Sequence, residues 1–420
     1  MSKFPEYSHE KSQEWFQRAT KVIPAGIYGH LGPAEGLFIP VSKWPLFSDR
    51  AEGTYIWDVD GNKFIDYMCA YGPNVLGYGD PDVDAAFNAQ NKLGNCLTTP
   101  SKVMVECAEC LVDTVASADW CFFAKNGNDT TQTAVVTARA FTRRKKIIFF
   151  KGYYHGVSPW QAKKDYAGVL EEEVMHNIIL PWDNIPLLEK TVAENKDQVA
   201  AIVAQPYDHG NFHDNVVMTN EYWAKVRKIC DDNGIQLIID DVRCGFRLDL
   251  AGSDHYFGFK ADMICFCKAL ANGYNMSALM GRDHLKNTIS GLSITGSYWL
   301  SAAPFAACIA TIEKLKKINA PQMFDTMGTR LVNGLVVAAK ENGFDLKATG
   351  KPALFYLRIA NDDSLFLHQE WIAECVSRGV FLTSHHNHFM NAAMTDEDIN
   401  HTLEVADDAF KAVKKNHPEI

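Results

Sequence analysis

The chain has 420 residues, 47% of them apolar, and a formal net charge of -10 at neutral pH. That length exceeds what one hydrophobic core fills, so two or three subdomains are expected. The acidic balance argues against a nucleic-acid or anionic-membrane binder, and no run approaches the roughly 20 apolar residues that cross a bilayer, so a small-molecule enzyme fits better.

The opening residues, Met1-Ser-Lys-Phe-Pro-Glu-Tyr-Ser-His, lack the apolar stretch of a signal peptide, and a cytoplasmic protein is expected. Residues 10 to 23 read as an amphipathic helix that Pro24-Ala-Gly26 ends with a turn signal. After an irregular stretch, Asp60-Gly61 separates two β-rich runs, Tyr55-Ile-Trp-Asp-Val and Lys63-Phe-Ile-Asp66-Tyr, which is the pattern of a hairpin. Cys107-Ala-Glu-Cys110 is a lone pair in a helical pattern, without the second pair a zinc site needs, and no metal is expected. Cys121, Cys265 and Cys267 sit inside apolar runs and read as reduced core residues.

From about residue 100 to 285, short apolar runs alternate with helical patterns: Trp120-Cys-Phe-Phe-Ala, Lys146-Ile-Ile-Phe-Phe, Ala200-Ala-Ile-Val-Ala, Gln236-Leu-Ile-Ile-Asp and Met263-Ile-Cys-Phe-Cys. Such runs describe an α/β fold whose mostly parallel sheet is buried on both faces between helices, with ligands at the carboxyl ends of the strands. Past Leu315 the pattern turns to helices and short strands such as Leu354-Phe-Tyr-Leu-Arg-Ile, and Thr395-Asp-Glu-Asp398 opens a final helix. The division expected is an N-terminal segment 1–60, a large α/β domain 61–315 and a smaller α+β domain 316–420. His385-His386-Asn387-His388 reads as a polar substrate-side loop.

The chemistry gathers where the runs end. Ile238-Ile239-Asp240-Asp241-Val242 delivers a carboxylate and Met263-Ile-Cys-Phe-Cys-Lys268 delivers an amine. Pyridoxal phosphate needs that pair: a lysine for its aldehyde and an acid that keeps its ring nitrogen protonated. Asn126-Gly127-Asn128-Asp129 is a polar turn at a helix start, where free N–H groups suit a phosphate. Lys151-Gly152-Tyr153-Tyr154-His155-Gly156 offers an aromatic to stack on a flat ring, and Gln205-Pro206 an amide for a cofactor oxygen. Taken singly, each of these turns is equally an ordinary cap or strand end.

Together, from Gly53 to about Ala406, their order and spacing resemble class III, fold-type I pyridoxal-phosphate aminotransferases, most of all the glutamate-1-semialdehyde aminomutase branch. The most specific piece is Ile238-Ile-Asp240-Asp241-Val242-Arg243-Cys-Gly245-Phe246-Arg247 with Lys268 downstream. The resemblance implies that Lys268 forms the imine, Asp240 pairs with the pyridine nitrogen, and Val242 and Tyr154 cover the two ring faces. It further implies that Gly127 and Asn128 hold the phosphate, with Gln205 beside the cofactor. Ser297, in Thr295-Gly296-Ser297-Tyr298, would reach the phosphate of a neighbouring subunit, which implies a homodimer with shared active sites.

The departures are equally specific. The usual Ser-Gly-Thr-Glu-Ala phosphate turn has amides here, so its grip rests more on the backbone, and the usual Glu-Pro has become Gln205-Pro206. The aminomutase signature Asn-Ser-Pro-Val-Arg is replaced by Tyr28-Gly29-His30-Leu31-Gly32, which removes its substrate-carboxylate arginine and leaves His30 and Arg243 as candidate substrate residues. The implied activity is amino transfer from a small-molecule donor to a keto acid, aldehyde or keto sugar. An aminomutase or amino-acid racemase on the same scaffold is the alternative, and a non-catalytic protein that kept the fold is a further one.

Overall fold

A computed structural model of the protein describes residues 3–27 and 43–418. The chain divides into two compact units: residues 1–80, 211–215 and 322–420 form one, and residues 81–210 and 216–321 form the other. The divisions expected from sequence lie at 60 and 315.

In the first unit, strands β1 (Ser48–Glu52), β2 (Tyr55–Asp58) and β3 (Lys63–Asp66) form an antiparallel meander. The β2–β3 turn is the expected one, with Gly61 at φ +89°, a backbone that favours glycine. The Asp58 carboxylate organises it by accepting from Asp60 N, Asn62 N and Asn62 Nδ2.

The second unit is built on a seven-stranded sheet. Its strands are β4 (Trp120–Ala124), β5 (Lys146–Phe150), β6 (Asn177–Leu180), β7 (Val199–Ala204), β8 (Gln236–Asp240), β9 (Met263–Phe266) and β10 (Ser277–Gly281). In space they run β4-β10-β9-β8-β7-β5-β6, and only β10 is antiparallel to its neighbours. Every residue of β7 and β8 is buried, as continuous apolar runs demand of a sheet covered on both faces. Ala134, Val135 and Ala138 of the Gly127–Thr142 helix pack over Phe149, Ala201, Ile238 and Cys265 on one face. Phe123 meets Phe305 of the Ala303–Lys317 helix on the other, their rings 4.8 Å apart. β6 and β10 are additions to the strands read from sequence.

The first unit continues with β11 (Leu346–Lys351), β12 (Leu354–Ile359), β13 (Val380–Phe381) and β14 (His388–Phe389). β13 joins β3 in parallel, and β11-β12-β14 form a separate antiparallel sheet. The expected capping box opens the final helix Asp396–Asn416: Thr395 Oγ1 accepts from Asp398 N at 3.2 Å and Asp398 Oδ2 accepts from Thr395 N at 2.8 Å. His385 and His386 lie in a bend before β14 and His388 opens that strand; all three are buried, and burial pushes His388 down to about 3.

Candidate active site

The parallel strands β7, β8 and β9 bring Gln205, Asp240 and Lys268 to the same carboxyl end of the sheet. Asp240 is the last residue of β8 and pairs in register with Cys265, three residues before Lys268. Asp241 N then donates to Cys265 O at 3.0 Å, which carries the pairing one step past the strand. Lys268 begins a short 3-10 turn, Lys268–Ala271, with φ at +41°. A left-handed backbone costs a non-glycine residue on the order of 1 kcal/mol or more and is typical of functional positions.

The Asp240 carboxylate is held on both oxygens. Its Oδ2 lies 2.7 Å from His155 Nδ1, and its Oδ1 accepts from Val242 N at 3.2 Å. His155 is buried, and its Nε2 has no hydrogen-bond partner among the described residues. Asp241, fully buried, points elsewhere: Ser253 donates to it through N at 2.9 Å and Oγ at 2.5 Å, and burial raises its carboxyl. The paired acids thus divide the work, one facing the site and the other closing the turn before the Ser253–Tyr256 helix.

Lys268 keeps some of its surface open while its amine lies deep among protein atoms. Desolvation, followed by the nearby Arg243 guanidinium, pulls the amine down to about 7. Arg243 itself is anchored at the end of β7: its Nη1 donates to His209 O at 2.6 Å and lies 3.3 Å from His209 Nδ1.

At the helix start after β4, Asp129 turns its carboxylate back onto Asn126 N at 2.9 Å and Lys125 N at 3.2 Å. The N–H groups of Gly127 and Asn128 belong to the first helical turn, which has no intrahelical acceptor for them. Gly127 lies against Val242, whose methyl carbons would stand 3.1 and 3.2 Å from a Cβ placed there. The phosphate turn and the ring-face valine named from sequence are therefore neighbours. The Asn128 side-chain oxygen is already engaged, accepting from Val157 N at 2.8 Å and Ser158 N at 3.0 Å. Asn128 is left its backbone N–H and its amide nitrogen for a ligand.

Tyr154 is 61% exposed, while its neighbour Tyr153 is buried in a stack with Phe149, centroids 4.9 Å apart. Gln205 is buried at the end of β7. Ser297 is exposed in the short turn Ser297–Leu300, and its carbonyl accepts from the exposed Cys96 Sγ at 3.5 Å. His30 lies outside the described residues. Sequence reading missed His155 and His209. His155 stands in the quoted Lys151–Gly156 turn and His209 four residues past Gln205, and each is followed by a glycine, which was the available signal.

The arrangement fits pyridoxal phosphate. A depressed lysine, an oriented carboxylate, a helix start able to receive an anion and an unpartnered buried His155 nitrogen are what an aldehyde, a pyridine nitrogen and a phosphate require. The family model of class III aminotransferases matches residues 39–410. The chain belongs to that family. Pyridoxal phosphate is the cofactor of this class III aminotransferase, and amino-group transfer is its chemistry.

The class III chain is 39% identical over 404 residues to aminopentol aminotransferase from Sphingopyxis macrogoltabida, covering 96% of this chain and 94% of that one. It is 30% identical over 429 residues to a glutamate-1-semialdehyde 2,1-aminomutase of Francisella tularensis, covering 95% and 98%. The solved structure of the pyridoxal-phosphate internal aldimine form of the Sphingopyxis sp. MTA144 FumI protein superimposes with a TM-score of 0.93 at 38% identity, over 97% of each chain.

Cys107 and Cys110 lie on the Lys102–Thr114 helix, and all eleven cysteines are free. The one group of three metal-competent side chains among the described residues is His9, Asp58 and Asp60. Its oxygens are occupied, since Asp58 organises the β2–β3 turn and Asp60 accepts from Lys11 N and Ser12 N at the start of the Glu10–Ala19 helix.

Proposed function

We propose that the enzyme moves an amino group from a donor amine to a separate carbonyl acceptor, with Lys268 and Asp240 as its catalytic residues. The observation that carries the reading is the convergence of the depressed Lys268 amine after β9 with the His155-anchored Asp240 and Arg243 at the end of the adjacent strand β8. Bound pyridoxal phosphate supplies an aldehyde that condenses with amines and a ring that accepts electrons when a proton leaves the adjoining carbon.

Lys268 Nζ would hold the cofactor's aldehyde between turnovers and, when freed by a donor amine, would take the proton from the donor's amine-bearing carbon and deliver it to the cofactor's former aldehyde carbon. An amine near pH 7 suits both directions of that transfer. Asp240, oriented by His155 Nδ1 and Val242 N, sets its carboxylate against the ring nitrogen. Val242 and Tyr154 cover the ring faces, Gly127 and Asn128 hold the phosphate through backbone N–H groups, and Gln205 sits beside the cofactor. Arg243 receives the carboxylate of a keto-acid substrate, and His30 is a second candidate substrate residue.

Ser297 serves the phosphate of the neighbouring subunit, so the working unit is a homodimer. Its exposed position supports that role. Eleven free cysteines support a reducing, cytoplasmic compartment, and no helix among the described residues is long and apolar enough to cross a membrane.

Transfer within one molecule is the second reading, favoured by the 30% identity to an aminomutase and opposed by the lost arginine signature before residue 33. Supplying one amine and no acceptor separates the two: transfer between molecules stops after one turnover per site, whereas steady product would overturn it. Lys268→Ala is expected to abolish turnover, and full activity in that variant would overturn the mechanism.

A further inference from the structure

Arg243 follows β8 three residues after Asp240, but what fixes its guanidinium comes from the next strand. Residue 209 follows Gln205 at the end of β7, and it meets Arg243 Nη1 twice, through its carbonyl at 2.6 Å and its ring Nδ1 at 3.3 Å. Because the guanidinium carries only donors, Nδ1 is the acceptor and Nε2 carries the ring proton. The ring is 2% exposed, and Nε2 has no partner among the described residues.

We infer that His209 is a positioning residue for substrate recognition: it clamps Arg243 beside Lys268 so that the guanidinium plane is fixed for the carboxylate of a keto-acid acceptor. The inference rests on the reading of Arg243 as the substrate-carboxylate residue given above.

Two features support the clamp. A guanidinium recognises a carboxylate through a rigid planar fork, so its orientation decides how much of the ion pair forms. A charged histidine would repel Arg243, and burial together with Arg243 holds this imidazole well below its usual range, so it stays a neutral acceptor at working pH. The neighbours that set the local charge are Arg243, Arg247, Asp240 and Cys267 around Lys268, and Arg243, Lys268 and His155 around His209.

The clamp makes His209 a residue of acceptor selection rather than of proton transfer. Aldehyde acceptors carry no carboxylate, so their use is expected to be indifferent to it. Keto acids depend on it.

The test uses the cofactor-loaded enzyme with a keto acid and an aldehyde as alternative acceptors. His209→Phe keeps a ring of similar bulk and removes the acceptor nitrogen. It is expected to raise KM for the keto acid about tenfold with a smaller change in kcat, and to spare kcat/KM for the aldehyde. His209→Asn restores an acceptor and is expected to recover most of the loss. Binding of acetate, followed by its perturbation of the visible absorption without turnover, is expected to weaken in His209→Phe and recover in His209→Asn.

Arg243→Met combined with His209→Phe is expected to be no worse than Arg243→Met alone, since a clamp has nothing to hold once the arginine is gone. Equal losses for both acceptors, or additive losses in the double variant, would overturn the inference. If Arg243→Met itself failed to separate the two acceptors, the reading of Arg243 would fall; if it separated them and His209→Phe did not, only the clamp would fall.

Discussion

An amine that titrates at about 7 instead of 10.5 takes stability away from the fold that buries it. Between those two values the unfolded chain holds a proton on Lys268 that the folded chain has released, so stability rises with pH across the window. Below it, the folded state carries the full penalty of a desolvated charge. Cofactor-free Lys268→Met is therefore expected to be more stable than the cofactor-free parent at pH 6, by about 2 to 4 kcal/mol. The gap should close as pH approaches 10.5, and calorimetric melting at the two pH values checks it. His155→Phe removes the side-chain partner of Asp240 and is expected to lower turnover on the order of tenfold or more, from the loss of one hydrogen bond to a charged group. A normal rate with normal cofactor occupancy would show that Val242 N alone orients the carboxylate.

At the scale of elements, the site depends on two turns meeting. Gly127→Ala would bring a methyl group to within 3.1 Å of Val242, so the valine side chain or the helix start must give by a few tenths of an ångström. Weaker cofactor retention during dialysis is the expected result, read from the visible band. In the first unit, Thr395→Ala removes the cap of the final helix and is expected to cost about 1 kcal/mol in urea unfolding without changing cofactor retention.

The elements differ in how legible they were. β5, β7, β8 and β9 are almost wholly buried, and β4 largely so, and burial on both faces writes itself into sequence as an apolar run. β6 is an edge strand of four residues of which only Leu180 is buried, and β10 reads Ser-Ala-Leu-Met-Gly, with small residues and no β-branched one. Neither carries the strand pattern. Lys268 and Asp240 were legible because each ends a run. His155 and His209 were not, because which ring nitrogen meets which neighbour depends on the order of strands in space, and β5, β7 and β8 are neighbours only in the folded sheet.

Over the whole molecule, no covalent link beyond the backbone holds the fold, since every cysteine is a free thiol. The melting temperature is therefore expected to be the same with and without a reductant. A dimer that shares its active sites would sediment at twice the chain mass. In such a dimer, Ser297→Ala is expected to lower phosphate-dependent cofactor affinity without dissociating the subunits, and a titration comparing pyridoxal phosphate with pyridoxal measures that loss.

Ten of the eleven thiols are buried or partly buried, and the exposed one, Cys96, lies against the Ser297 carbonyl. Chemistry has thereby been left a single preferred attachment point. A maleimide dye offered at limiting concentration is expected to settle there first and to report, by its brightness, on changes around Ser297 without any engineered tag.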